Sequence, residues 1–391
     1  MIFLKKMKHH SPFLVPGFLF LGICMRMPIT AVPSVIREIA RSFNVTPTSL
    51  GILTTIPLLC FGLLAPMISA VARRIGNELT IALAMIVMVS GSFLRVFDLA
   101  ALIIGTILVG AAITCANVLL PTIIADKLPE KIGSVTGMYN VAITLFAAIG
   151  AYAITPITHA TSWQAAVIII SIIILVAALV WAPNLRYNRR EEELRQDERG
   201  QNMWRNANAW WLLLFFGGQS FVFYSIVTWL PTIAVDTGLT SDQASLVAGL
   251  FQLFSMPFAF LVPVITTRLK NRQPIMALAG AITLIGVGML FFPLSSFVYY
   301  VCAALFLGMG TTTTFVLAMT LFSLKARSVA ETRNLSGMVQ SGGYLIAALG
   351  PLVTGKLSVL GQHWSVSLTL LVIIIVCFTV CGVIAEREEF V

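Results

Sequence analysis

One arginine stands inside a long apolar run. Arg26 lies midway along Phe13–Val35, a stretch that contains no acidic residue. A guanidinium stays protonated at any physiological pH, so burial cannot neutralise it. In the middle of a bilayer helix it costs ~2.5–3.5 kcal/mol on insertion scales. Such a charge must meet a wet cavity or an anion. Helical spacing puts Leu19, Gly22, Arg26, Thr30 and Pro33 on one stripe, small and polar enough to wall a cavity. The chemistry offered is a fixed positive charge that orients an anionic or strongly dipolar solute. The competing reading is a structural arginine bonded to carbonyls or snorkelling to an interface.

The usual partners of such a charge are missing. All 16 Asp and Glu fall in loops, tails or span ends, with Asp98 and Asp126 nearest to a membrane edge. His9 and His10 are near the N-terminus, and His159 and His363 are in loops. The Asp, Glu or His relay common in pumps and symporters has no candidate at depth. A membrane-embedded enzyme would need a nucleophile, metal cluster or acid–base pair there. The sequence therefore predicts no catalytic residue, metal or cofactor. The six cysteines sit in apolar runs without nearby His or carboxylate and read as small core or lipid-facing residues.

Other polar side chains in apolar runs are candidates to line the same cavity: Asn117, Tyr139, Asn140, Gln219, Tyr224, Gln252, Gln340 and Tyr344, with Trp229 behind them. Gln340 and Tyr344 share a helix face at i, i+4. Each of these, taken singly, reads equally as glue between helices. The run Thr311–Thr314 could line a path or bond back to its own helix. Trp163, Trp181, Trp210, Trp211 and Trp364, at span ends, read as interface anchors.

The elements that must position these groups follow from composition. Of 391 residues, 58% are hydrophobic and 10% charged, against about 25% charged in soluble domains. Most of the surface must face lipid. Twelve segments are long and apolar enough to span it as helices: about Phe13–Val35, Leu50–Val71, Leu79–Val96, Leu99–Ile124, Gly133–Ile157, Trp163–Trp181, Ala209–Val235, Ala244–Thr266, Pro274–Leu294, Phe297–Leu324, Leu335–Leu357 and Trp364–Ala385. An all-α membrane protein is expected, with six spans in 1–183, a charged linker at 184–208 and six spans in 209–391. Most basic residues fall on the side of the termini and linker, including Lys5, Lys6, Lys8, Arg73, Arg74, Lys127 and Arg272; Arg37, Arg41, Arg95 and Lys356 fall on the other. That bias places both termini in the cytoplasm and explains the net charge of +9 without nucleic acid.

The halves repeat. A shift of 200 pairs Gly110 with Gly310, Thr114 with Thr314, Thr136-Gly137-Met138 with Ser336-Gly337-Met338, Asn140 with Gln340, Thr144 with Tyr344 and Gly150 with Gly350, without a gap. Near the start of each half a shift of 198 pairs Thr30 with Thr228, Pro33 with Pro231, and Arg26 with Tyr224. A cation in one half thus faces a phenol in the other.

Two six-span halves in parallel repeat are the layout of the major facilitator superfamily. The segment Ser69-Ala-Val-Ala-Arg-Arg-Ile-Gly-Asn-Glu78 resembles that superfamily's G-x-x-x-D-R-x-G-R-[KR] signature at Arg74 and Gly76. Ser69, Arg73, Asn77 and Glu78 replace its Gly, Asp and trailing basic residues, so the role of that Asp does not carry over. Within the superfamily the chain resembles the cyanate permease and 2-nitroimidazole transporter branch. The resemblance rests on Arg26, Gly51-Ile-Leu-Thr-Thr-Ile-Pro-Leu-Leu59, Ala116-Asn-Val-Leu-Leu-Pro121, Gly249-Leu-Phe-Gln-Leu253, Leu335-Ser-Gly-Met-Val-Gln-Ser-Gly-Gly-Tyr-Leu345 and Gly361-Gln-His-Trp-Ser365. It implies a monomeric bacterial inner-membrane porter for small anions or nitro-aromatic compounds. It implies a site lined by Arg26, Asn117, Gln252, Gln340 and Tyr344 and a rocking of one half against the other. A lipophilic-compound efflux porter and a non-transporting sensor on the same scaffold are the rival expectations.

Overall fold

The computed structural model describes residues 11–188, 203–266, 269, 271–292, 294–325, 329–361 and 363–387. Lys5, Lys6, Lys8 and the centre of the expected linker, 189–202, lie outside the described residues, as do Arg268, Lys270 and Arg327. Twelve helical stretches are long and apolar enough to cross a bilayer, and no strand occurs among the described residues. With no water in hydrocarbon, each backbone group must find its partner within its own helix, which selects this architecture. In chain order the helices are α1 (Leu14–Thr30), α2 (Ile36–Ser42), α3 (Ile52–Ile75), α4 (Asn77–Leu94), α5 (Leu99–Lys127), α6 (Ile132–Ala160), α7 (Trp163–Trp181), α8 (Ala207–Asp236), α9 (Ser241–Thr266), α10 (Gln273–Phe291), α11 (Phe297–Leu324), α12 (Val329–Leu360) and α13 (Ser365–Arg387). They form two pseudo-symmetric six-helix bundles, α1–α7 and α8–α13. The linker and the described chain ends share one face, here the linker face; the other is the far face.

The first span departs from expectation. It runs on to Ser42 as α1, a short 3₁₀ turn at Val32–Val35, and α2. Arg37 and Arg41 therefore ride on a helical extension of the Arg26 helix rather than in a loop. The break leaves the last carbonyls of α1 without helical donors. Arg95 supplies one: its Nη1 donates to Pro28 O at 3.1 Å. Arg95, counted in the sequence among the far-face basic loop residues, is thus 3% exposed, because it turns inward to cap a neighbouring helix.

The internal repeat is visible in packing, with one correction to its register. A Cβ on Gly110 would meet Pro57 and Cys60; one on Gly308 would meet Phe251 and Ser255. Gly110 and Gly308 are equivalent, as are Pro57 and Ser255, so the shift in α5 and α11 is 198 rather than 200. In α6 and α12 it is 200: Gly150 packs on Met27 and Gly350 on Phe221 and Ser225. The sequence alignment ran through both because glycines at both 308 and 310 fit a gapless match. The 198 register also pairs Lys127 with Lys325. Each of these lysines is buried against a carboxylate at the linker face: Lys127 on Glu78 at 3.5 Å, Lys325 on Glu386 at 3.4 Å. Arg272 joins Glu386 at 2.9 Å. Both acids lie at helix ends, as the sequence placed them.

Two tryptophans read as interface anchors are core residues instead. Trp181 is fully buried with Nε1 donating to Glu78 O, and Trp163 is buried with Nε1 donating to Ser42 Oγ. An indole N–H that finds a partner inside can be buried whole. Trp210 and Trp211 remain partly exposed.

The bundles are fastened on one side. In the far half they are joined by Arg37 with Asp236, His159 with Asp242, Thr155 with Ser245, Thr54 with Thr228, and Thr55 with Ala348 O. Trp229, fully buried, fits against Gly51 and Gly355 and donates to Pro351 O. Trp229 is therefore part of this seal and not of a cavity wall. Towards the linker face the contacts thin out. A Cβ on Gly137 would find only Phe260, at 3.9 Å, and one on Gly337 nothing within 4 Å.

Candidate functional site

Arg26 lies near the middle of its span, half-buried, and its guanidinium crosses from the first bundle to the second. It stands 4.9 Å over the Phe223 ring and 5.9 Å from the Tyr224 ring centre. Cation–π contacts of this kind contribute roughly 0.5–2 kcal/mol. No carboxylate pairs with Arg26 among the described residues. The sequence repeat placed Tyr224 opposite Arg26, and the two side chains are in electrostatic contact. Tyr344 is in electrostatic range of both. Its ring lies edge-on between Phe61 at 5.3 Å and Phe216 at 5.2 Å. The result is one cation set among rings from both bundles.

The remaining candidates arrange themselves around this centre unevenly. Gln219 is buried one turn from Phe223 on the same face of α8; its Nε2 donates to Ser220 Oγ, and its Oε1 has no partner. A buried amide oxygen left open is costly unless something fills the position. Gln252 and Thr30 line a void of about 10 Å³, one helical turn beyond Arg26 on the far side. That space is close to the minimum for one water, so the route outward from Arg26 is closed. Gln340 is partly exposed and donates to Ser336 Oγ at 2.6 Å, on the face of α12 that carries Tyr344. Asn117 and Asn140 are exposed on α5 and α6, and neither bonds to the Arg26 group among the described residues. Tyr139 is half-buried, with its backbone carbonyl against Gly22 rather than its ring against Arg26. Thr311, Thr313 and Thr314 all bond back to their own helix.

Sequence reasoning missed Phe223, Phe61 and Phe216. Nothing in a chain with 25 phenylalanines marks three of them out. It also missed Asp236 and Asp242, each in the other bundle from the side chain it meets, Arg37 and His159. The repeat gave no hint of them, since it relates equivalent residues rather than touching ones.

A family model described as Major Facilitator Superfamily matches residues 16–333. The chain belongs to the major facilitator superfamily. It is 32% identical over 388 residues to the uncharacterized transporter YycB of Bacillus subtilis (strain 168), covering 98% of this chain and 96% of that protein. It is 31% identical over 380 residues to the 2-nitroimidazole transporter of Escherichia coli (strain K12), covering 96% of each. With the cyanate transport protein CynX of the same organism the identity is 22%, over 88% of this chain and 89% of that one. Among solved structures, a bacterial homologue of the human lysosomal transporter Spinster superposes with a TM-score of 0.79 at 15% identity, over 97% of both chains. At that identity the likeness is one of fold. Like other members of the major facilitator superfamily, this protein is a multi-pass membrane secondary transporter for a small-molecule solute, not an enzyme.

Proposed function

We propose that the protein carries a small anionic or strongly dipolar solute, of the nitroimidazole or cyanate type, with Arg26 as the charge that meets it. The observation that carries this reading is a half-buried guanidinium resting on the Phe223 ring with no acidic partner among the described residues. A cation left without a counter-ion at depth gains most from a cargo that brings one. The surrounding rings favour a planar cargo that stacks as it binds, which suits a nitro-aromatic better than a triatomic anion. The names of the relatives at 31% and 22% identity point to the same chemistry.

The bundles would rock, exposing Arg26 at the two faces in turn, and the arrangement closed at the far half is one end of that cycle. The bias of basic residues supports a linker face in the cytoplasm of a bacterial inner membrane. The functional units remain 1–183, 184–208 and 209–391, in a monomer. Importing a monoanion against ~100 mV, inside negative, costs ~2.3 kcal/mol, so an anionic cargo accumulates only with a co-ion or in exchange.

Uptake of 2-nitroimidazole into vesicles tests the reading. Arg26→Ala should raise KM by about tenfold or more, the loss of ~1.4 kcal/mol or more in binding. Equal uptake by wild type and variant would take Arg26 out of the mechanism.

A further inference from the structure

A second basic cavity lies at the far face, across the fastened seam. It measures about 740 Å³ and is walled by α2 and the following loop on one side and by the far ends of α8 and α12 and the residues just before α13 on the other. Its ionisable lining comprises Arg37, Arg41 and His363 against one carboxylate, Asp236. That carboxylate is already engaged: one oxygen takes Arg37 Nη2, and the other accepts from Trp364 Nε1 at 2.9 Å. Arg41 is exposed and has no ion-pair partner among the described residues. Two buried polar atoms at this seam have no partner: Arg37 Nε and Thr232 Oγ1, the latter on a residue 7% exposed that lines the cavity. A closed seam that leaves a donor and a hydroxyl unsatisfied is costly. Both atoms are sealed from the cavity while Arg37 holds Asp236, and an anion that parts that pair would reach them.

We propose that this cavity is a capture site, separate from the Arg26 centre, which binds a small planar solute bearing a carboxylate or a nitro group between Arg41, Arg37 and Thr232. This rests on the reading that the cargo carries negative charge or a strong dipole. The two guanidiniums and a low-dielectric wall concentrate anions at the seam. The planar fork of Arg37 presents Nε and Nη2 together, the geometry that grips a carboxylate or nitro group side-on. Asp236 occupies half of that fork, so ligand and Asp236 compete for Arg37. Capture therefore loosens the ion pair that joins the bundles at this corner.

Equilibrium binding of benzoate and of 2-nitroimidazole to purified protein decides the matter, in detergent and again in nanodiscs of anionic lipid. In an Arg26→Ala background, which silences the central site, one equivalent should still bind. Adding Arg41→Ala should weaken that binding about tenfold, and adding Asp236→Asn should tighten it by removing the competitor. Arg41 is exposed, so its variant is not expected to disturb folding. Binding lost in Arg26→Ala and indifferent to Arg41 would overturn the capture site and leave the central reading standing. Binding unchanged in Arg26→Ala but lost with Arg41 would do the reverse. If the probes bind only in detergent, and anionic lipid abolishes them, the cavity holds a lipid headgroup and the cargo-capture proposal fails.

Discussion

Arg26 and Arg95 are both arginines at or near membrane depth, and their surroundings divide their roles. Arg95 is closed in, and one of its nitrogens serves the Pro28 carbonyl. Arg26 is half-open, stands against the Phe223 and Tyr224 rings and meets the Tyr224 hydroxyl. Arg95→Ala should lower stability by ~1–3 kcal/mol, since it orphans a buried carbonyl; a thermal-unfolding series in detergent measures this. For Arg26 the informative change is Arg26→Lys. Lysine keeps the charge but loses the flat stacking surface. If stacking matters, Lys should bind 2-nitroimidazole several-fold more weakly than Arg yet better than Ala; equivalence of Lys and Arg would reduce the site to a point charge. At this scale the sequence disclosed the charge and its phenol, because an ionised group in oil stands out against its neighbours. It could not disclose which phenylalanines surround them, because an apolar ring in an apolar run carries no contrast.

Helices were legible almost to their ends, since twelve apolar runs bounded by charges leave little freedom. The exceptions sit where the chain breaks a helix for a tertiary reason. Thr30 and the turn at Val32–Val35 interrupt the first span without any change in hydrophobicity. Gly76 is the opposite case, a break the sequence does mark. It adopts φ +96, and Asn188 fits over it, accepting from Leu79 N at 3.1 Å and donating to Ile75 O at 2.8 Å. A side chain at this position would meet a left-handed backbone and the Asn188 amide together. Gly76→Ala should therefore destabilise by ~1–3 kcal/mol, and Asn188→Ala by a smaller amount. A Gly76→Ala protein that melts with wild type would show that the joint between α3 and α4 adapts freely.

The two bundles share one layout but divide the work. The first supplies the central cation, Phe61 and Arg37; the second supplies Phe216, Phe223, Tyr224, Tyr344 and Asp236. The seam between them is fastened in the far half, and its polar pairs there are ones that opening must break. A disulfide at Thr155→Cys and Ser245→Cys should form readily, because the native hydroxyls already touch across the seam. Cross-linked protein should lose uptake, and reduction should restore it. Uptake that persists in fully cross-linked protein would mean that this seam never parts. Gly249→Val is the gentler counterpart: a Cβ at Gly249 already stands 3.0 Å from Ala148 O, so added bulk should wedge the seam and increase far-face thiol labelling.

The broken first span carries Arg26 below its break and Arg37 above it, eleven residues apart, or ~16 Å at a helical rise. No molecule the size of a nitroimidazole reaches that far. Small cargo must release one guanidinium before it greets the next, whereas a rigid rod acidic at both tips would straddle the pair and stall the cycle, which makes that span a ruler for inhibitor length.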